Sequence, residues 1–461
     1  MRGLPLMPVD AASSSMTGGQ ARGLTMERGR TVAASGQTAM RARATRQDCL
    51  FYLSAALLLL SLPACADYPK IPVSGTVACK PVTTTVDSAL ARAYFDRFFA
   101  GAADHRAASE TITAIERRFA ALPLDALTLR QLSGETSPDF ATLFFIKRSL
   151  SDERNRRFQA AYCTEVGRIK AEIQRNRWAG IVRNRLRAYT ILFVPGFHYL
   201  RNPTTGADFS NQRKLMGRLG LKVELVTTEE DGTIEKNASI IAGFIRARSG
   251  NGTRLILVST SKGGPETALA LGEILRPDET RSVNAWVSVG GLIRGTFLAD
   301  RVTGWPKSWL ARIMFSAEGI RFGSVPGLTT ASSRKRLGGI RLPPHILIVQ
   351  FVGVPLSGDI AGDVRWRYRQ LRKYGPNDGL TLLADELLPG GVTIIEPGLD
   401  HYYEDPDINL KSLALPNVIV DELYRQRSIE PPRPERFDAT LGPGASRSFR
   451  KGKAGIKRIL G

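Results

Sequence analysis

The chain has 461 residues, 43% of them hydrophobic and 23% charged, and a formal net charge of +21. This length and apolar content exclude a disordered chain and allow two or three compact units. The positive charge would suit nucleic acid or an anionic membrane. No zinc-finger spacing, RNP-like aromatic strip or phosphate-cradling glycine loop accompanies it, so nucleic-acid binding is not expected.

Residues 1–66 read as a targeting segment. Its first 39 residues are rich in Gly, Ser and Ala, and translation starting at Met26 or Met40 would remove most or all of them. "RARATRQDC" then precedes "LFYLSAALLLLSLPA", an apolar run too short to span a bilayer comfortably. A basic region, an apolar region and a small-residue exit together make a secretory signal. "LPAC", Leu62 to Cys65, resembles the lipobox of bacterial lipoproteins. That resemblance implies export from a bacterial cytoplasm and a periplasmic protein anchored through lipid on Cys65. Plain cleavage after Ala64-Cys65-Ala66 and a retained membrane anchor are the alternatives.

Of the four cysteines, Cys79 and Cys163 lie beyond this segment. In an exported protein they can bridge, although the sequence does not show whether they come close. Neither has the neighbouring His or Cys of a metal site, and no metal or organic cofactor is expected.

Residues 67–188 carry helical periodicity, as in "VDSALARAYFDRFFAGAADHRAASETITAIERRFAAL" and "SDERNRRFQAAYCTEVGRIKAEIQRNRWAG". They are expected to form an all-helical N-terminal unit that packs on the rest, with His105 on its surface. At residue 189 the texture changes. Six apolar, β-branched runs, "TILFVPG", "KVELVTT", "RLILVST", "NAWVSVG", "HILIVQFVG" and "GVTIIEPG", alternate with helical segments up to residue 427. This predicts an α/β unit with a mostly parallel sheet flanked by helices, and a ligand site at the carboxyl ends of its strands.

Residues 291–344 interrupt the alternation. Trp305, Trp309 and Phe315 within them suit a cap over an apolar pocket or, equally, a packed excursion helix. Residues 428–461 read as a basic, mobile tail, with Arg447, Arg450, Lys451, Lys453, Lys457 and Arg458 free to touch anionic head groups weakly.

The third run leads into "STSKGGPETALALGEILRP". Ser261 there has Gly263 and Gly264 behind it, with Pro265 suited to a first helical turn. A sharp strand-turn-helix of this kind projects a nucleophilic serine, and small neighbours let strand and helix close behind it. Ser259 stands where that pattern has its first glycine. A serine needs a base held by a third group. Of four histidines, His401 follows the last strand run, whereas His345 precedes a strand and His198 follows the first. Asp378 in "GPNDGL" is the expected acid, with Asp359 and Asp363 as rivals and Asp400 a loop-shaping residue. The oxyanion hole is expected from the backbone N–H groups of Lys262 and Phe197, the latter after Pro195-Gly196. The Lys262 side chain would then point to solvent or to an acidic substrate group. His198, Trp305 and Trp309 are candidate pocket residues.

Residues 189–427 resemble the α/β-hydrolase superfamily, in particular its lipase- and esterase-like members. The order Ser261, Asp378, His401 matches, as do "VPGF" to the oxyanion loop and "STSKGG" to the nucleophile elbow. "GGLIRGTFLAD" and "PNDGL" are similar to segments of bacterial lipases. The resemblance implies a serine hydrolase that cleaves carboxylic esters, small-molecule or lipid, through an acyl-enzyme. An amidase or peptidase of the same fold, or a non-catalytic binding module of the cell envelope, are the alternative readings.

Overall fold

The structure, a computed structural model, describes residues 68–427 apart from 102–105, 251, 305–312, 314–320, 361 and 363. Cys65, His105, Trp305, Trp309, Phe315, Asp363 and the basic tail lie outside the described residues.

The extension starts with two antiparallel strands, β1 (Ile71–Val77) and β2 (Lys80–Val86). The expectation of an all-helical extension is therefore corrected at its start. Pro72, Pro81 and a turn without Asn-Gly remove the usual hairpin signals, and only the alternation of Val73 with Val77 and Val82 with Val86 remains. The turn residues Ala78 and Cys79 both have positive φ, 47° and 65°. Cys79 is disulfide-bonded to Cys163, 84 residues on.

Five helices follow: α1 (Ala89–Phe99), α2 (Arg106–Ala120), α3 (Ala126–Glu135), α4 (Pro138–Ser151) and α5 (Glu153–Gln174). Ser88, Asp125, Ser137 and Asp152 cap α1, α3, α4 and α5 by accepting from the backbone N–H groups of Ala91, Thr128, Phe140 and Asn155. Each cap satisfies a helix-terminal donor, worth about 1 kcal/mol.

The α/β half holds a six-stranded sheet of β3 (Thr190–Val194), β4 (Lys222–Leu225), β5 (Leu255–Thr260), β6 (Val283–Val289), β7 (Leu347–Val354) and β8 (Val392–Pro397). All pairings are parallel, in the order β4-β3-β5-β6-β7-β8. Each strand falls on one of the six apolar runs. On one face Ile191, Phe193, Ile256 and Val287 share a core with α5 and the C-terminal helix Ile408–Arg427. On the other, Leu192, Leu257 and Trp286 meet Ile234–Arg248. A parallel sheet needs both faces covered, which explains why its strands read as continuous apolar runs.

The extension shares its core with the sheet. Val73, Phe95, Phe140 and Phe145 pack with Val352, Val354 and Ile395. Along α5, Gln159 Oε1 accepts from Ile395 N at 2.9 Å, and its Nε2 donates to Ile395 O at 3.2 Å. Asn155 Oδ1 accepts from Thr393 N at 2.8 Å. These side chains satisfy the outer edge of β8, where a further strand would otherwise pair.

A second junction is polar. The buried Asp139 carboxylate accepts from Asp87 N at 2.8 Å and Ser357 N at 2.9 Å, and Arg372 donates to Asp87 at 2.6 Å. Burial, and then the Asp87 charge, raise Asp139 to about 7. Its folded value lies above its unfolded one, so the folded state holds the extra proton between pH 4 and 7. The contribution of Asp139 to stability falls as pH rises through that window, by at most about 1.4 kcal/mol per pH unit. Urea unfolding at a series of pH values should show this slope, and Asp139→Asn should flatten it. Replacing Cys79 and Cys163 together by Ser should lower the unfolding free energy by about 2–5 kcal/mol, an effect that reductant reproduces in the parent protein.

Candidate active site

At the end of β5 the chain turns sharply into the helix Gly263–Leu269. Ser261 sits at the turn with φ 51°, a left-handed conformation that L side chains rarely adopt. Its N–H donates to Val289 O at 3.1 Å, and its carbonyl accepts from Gly264 N at 3.0 Å and Leu292 N at 3.1 Å. The clearances explain the glycines. A Cβ on Gly263 would stand 2.8 Å from Pro195 O, and one on Gly264 would stand 3.0 Å from Gly291 Cα.

Ser259, in place of the pattern's first glycine, is buried. Its hydroxyl accepts from Trp286 Nε1 at 2.8 Å. The elbow tolerates this side chain because it points away from the turn and satisfies a buried indole.

The structure brings Ser261, His401 and Asp378 together. His401 Nε2 lies 3.1 Å from Ser261 Oγ, and His401 Nδ1 lies 2.5 Å from Asp378 Oδ2. The backbone adds His401 N to Asp378 O at 2.9 Å. Asp378 is fully buried, and its Oδ1 accepts from Leu380 N at 2.8 Å and Thr381 N at 2.7 Å. A carboxylate so held keeps His401 Nδ1 as the protonated nitrogen and leaves Nε2 facing the serine.

The rival Asp359 instead accepts from Leu356 N, and Asp400 shapes its own loop by accepting from Tyr402 N. His345 Nε2 bonds the backbone of Thr280, before β7 and away from this end of the sheet.

The segment Arg294-Gly295-Thr296 fixes the acid loop. Thr296 Oγ1 donates to Leu380 O at 2.5 Å, Thr381 Oγ1 donates to Gly295 O at 2.9 Å, and Arg294 N donates to Asp385 O at 3.1 Å. Glu386 is also buried beside this loop, and its carboxyl oxygens have no partner among the described residues. Burial, followed by the charges of Asp378 and Asp385, pushes it well above the usual carboxylate range, so it stays neutral near Asp378.

The loop after β3 abuts the elbow. Phe197 and Lys262 have backbone N–H groups without an acceptor among the described residues. The Lys262 side chain differs from expectation. It is 2% exposed, and its ammonium lies 2.6 Å from Glu266, itself 1% exposed. Asn237 Nδ2 donates to the same carboxylate at 2.8 Å, and the ammonium lies 5.8 Å from the Phe197 ring centre. Burial pushes Glu266 up, and Lys262 pulls it back. The pair is four residues apart, so the i,i+4 spacing in "SKGGPE" was its only sequence signal.

A cavity of about 610 Å³ opens at Ser261 and His401. Phe197, His198 and Tyr402 line its upper part. His198 has φ 54° and stacks on Phe197 at 3.8 Å between ring centres. Among the described residues, none of the insertion 291–344 lines this cavity. The walls come instead from the loop 197–212 and the helix Ile408–Arg427.

The sheet order, the strand-elbow-helix and the loop placement have the form of the α/β-hydrolase fold. Among solved structures, the chain is similar to the metagenomic carboxyl esterase MGS0156, at 24% identity over 53% of this chain and 76% of that one, with a TM-score of 0.40. It is also similar to the Bacillus licheniformis lipase BlEst2 in mature form, at 20% identity over 52% of this chain and 91% of that one, with a TM-score of 0.39. A third is lipase 1 from Pelosinus fermentans, at 12% identity over 51% of this chain and 98% of that one, with a TM-score of 0.37. No family model and no curated protein matches the chain.

Ser259 offers a local test. Ser259→Ala leaves the Trp286 N–H buried without a partner and should cost about 1–3 kcal/mol in urea unfolding, whereas Ser261→Ala should leave stability unchanged or raised.

Proposed function

We propose that the protein is a serine hydrolase of carboxylic esters that works through an acyl-enzyme. The observation that carries this reading is the continuous chain from Asp378 through His401 to Ser261 Oγ at the end of β5. Ser261 Oγ attacks the acyl carbon while His401 Nε2 takes its proton, a transfer worth about 10²–10⁴ in rate. The N–H groups of Lys262 and Phe197 receive the developing oxyanion, and a donor of this kind contributes about 10²–10³. His401 then gives its proton to the departing alkoxide, and the acyl group stays on Ser261. Water enters, loses a proton to His401 and releases the acid.

The same steps serve an amide, with an amine as leaving group. We further propose that the protein is exported, a reading that the Cys79–Cys163 disulfide supports because such bonds persist in oxidising compartments. Anchoring through lipid on Cys65 rests on the sequence alone.

A fluorophosphonate probe tests the nucleophile. Folded parent protein should be labelled, and Ser261→Ala and His401→Ala should not. Labelling that survives in Ser261→Ala, or none in the folded parent, would sink the proposal. Asp378→Asn should lower kcat by about 10⁴ toward a p-nitrophenyl ester, because the amide no longer holds the correct His401 tautomer.

A further inference from the structure

The loop that carries Asp378 runs from Gly375 to Leu387, and its middle is fixed from within the α/β half by Gly295 and Thr296. Its two ends are held by the N-terminal extension. The turn Arg372–Tyr374 leads into the loop. Arg372 donates at 2.6 Å to Asp87, which lies between β2 and α1. The Asp87 side chain is 1% exposed and that of Arg372 18%. The same guanidinium lies 3.9 Å from the ring centre of Tyr68, at the start of the extension.

Tyr374 lies between the two halves. Its ring stacks on Phe297 at 4.0 Å between ring centres, and the Arg130 guanidinium of α3 lies 5.5 Å from its ring centre. Gly375 follows with φ 128°, and a Cβ there would stand 3.5 Å from Arg130 N. The first residue of the loop thus rests on the backbone of α3. At the far end, Leu383 and Ala384 are buried in the core that Leu129 and Leu132 of α3 share with Phe140 and Phe145. Asp378 sits between these anchor points.

We propose that the N-terminal extension is a positioning element of the triad, and that Arg372 is the residue through which it acts. The Asp87–Arg372 pair and α3 fix where the loop enters and leaves, and so where Asp378 Oδ2 stands against His401 Nδ1. Such geometry is steep, because misplacing a group by about 1 Å can cost about 10²-fold in rate. Removing the Arg372 charge leaves Asp87 a buried carboxylate without its countercharge, so the entry of the loop must move to relieve it. Neither Asp87 nor Arg372 lines the cavity at Ser261, and their effect reaches the reaction only through the loop. This role rests on the ester-hydrolase reading for what Asp378 does, and on the contacts alone for the hold of the extension on its loop.

The test sets p-nitrophenyl butyrate kinetics of the full chain beside its proton NMR spectrum. In the parent, the His401 Nδ1–H held by Asp378 should give a far-downfield resonance, identified by its absence from His401→Ala. Arg372→Gln should lower kcat about tenfold or more with KM within about twofold, and should shift or erase that resonance. Arg372→Lys keeps the charge on a shorter reach and should fall between the two. Should Arg372→Gln fail to fold, Asp87→Asn, which leaves Arg372 an acceptor but no countercharge, should show the same pattern.

A residue that only adds stability leaves the folded triad unchanged. Folded Arg372→Gln or Asp87→Asn with parental kcat and an unmoved resonance would therefore overturn the positioning role, however far the urea midpoint falls. If the parent does not cleave the ester but its resonance is present and is lost in Arg372→Gln, the hydrolase reading fails and the hold on Asp378 stands.

Discussion

The left-handed backbone at Ser261 is the constraint on which the site depends. A non-glycine residue held there costs about 1–3 kcal/mol and persists only where its surroundings over-determine it. Here three backbone bonds, to Val289, Gly264 and Leu292, fix the residue, and two glycines let the next helix press against Pro195 and Gly291. Because the turn cannot relax, Ser261 Oγ stays at the rim, and every other group must be brought to it. The loop after β3, the segment 294–296 and the turn at His401 all converge on that fixed point.

The electrostatics follow the same logic. The buried Asp378 carboxylate is fully engaged, accepting from two backbone N–H groups and from His401. Glu386 has no such partners among the described residues, and burial, then the charges of Asp378 and Asp385, push it well above the usual carboxylate range. The buried pair of Lys262 and Glu266 ties the helix after Ser261 to the helix carrying Asn237, so the Lys262 side chain is held in place beside the turn.

Much of this was legible in the sequence, for identifiable reasons. Parallel strands buried on both faces leave unbroken apolar runs, and a residue just after such a run must lie at the strand's carboxyl end. That places Ser261 and His401, whereas Asp378 is preferred to Asp359 partly through the resemblance of "PNDGL" to the acid loop of bacterial lipases. The remainder depends on contacts between distant segments. Only the i,i+4 spacing of Glu266 marks the buried Lys262 ammonium in the sequence, and Ser259 reads as a defect until Trp286 is set beside it. The first hairpin escaped because two prolines and a turn without Asn-Gly hide an alternation only four valines long.

The edge of β8 carries a consequence for how the chain is made. Gln159 and Asn155 satisfy a strand more than two hundred residues later, at separations of 236 and 238. The extension leaves the ribosome early with those amides unpaired and part of its core, including Phe140 and Phe145, facing a sheet that does not yet exist. Contacts of this span form late, because a long loop must close before they stabilise anything. The change of texture at residue 189 thus marks a border in the sequence and not in folding. The extension reaches its final state only when nearly the last strand arrives.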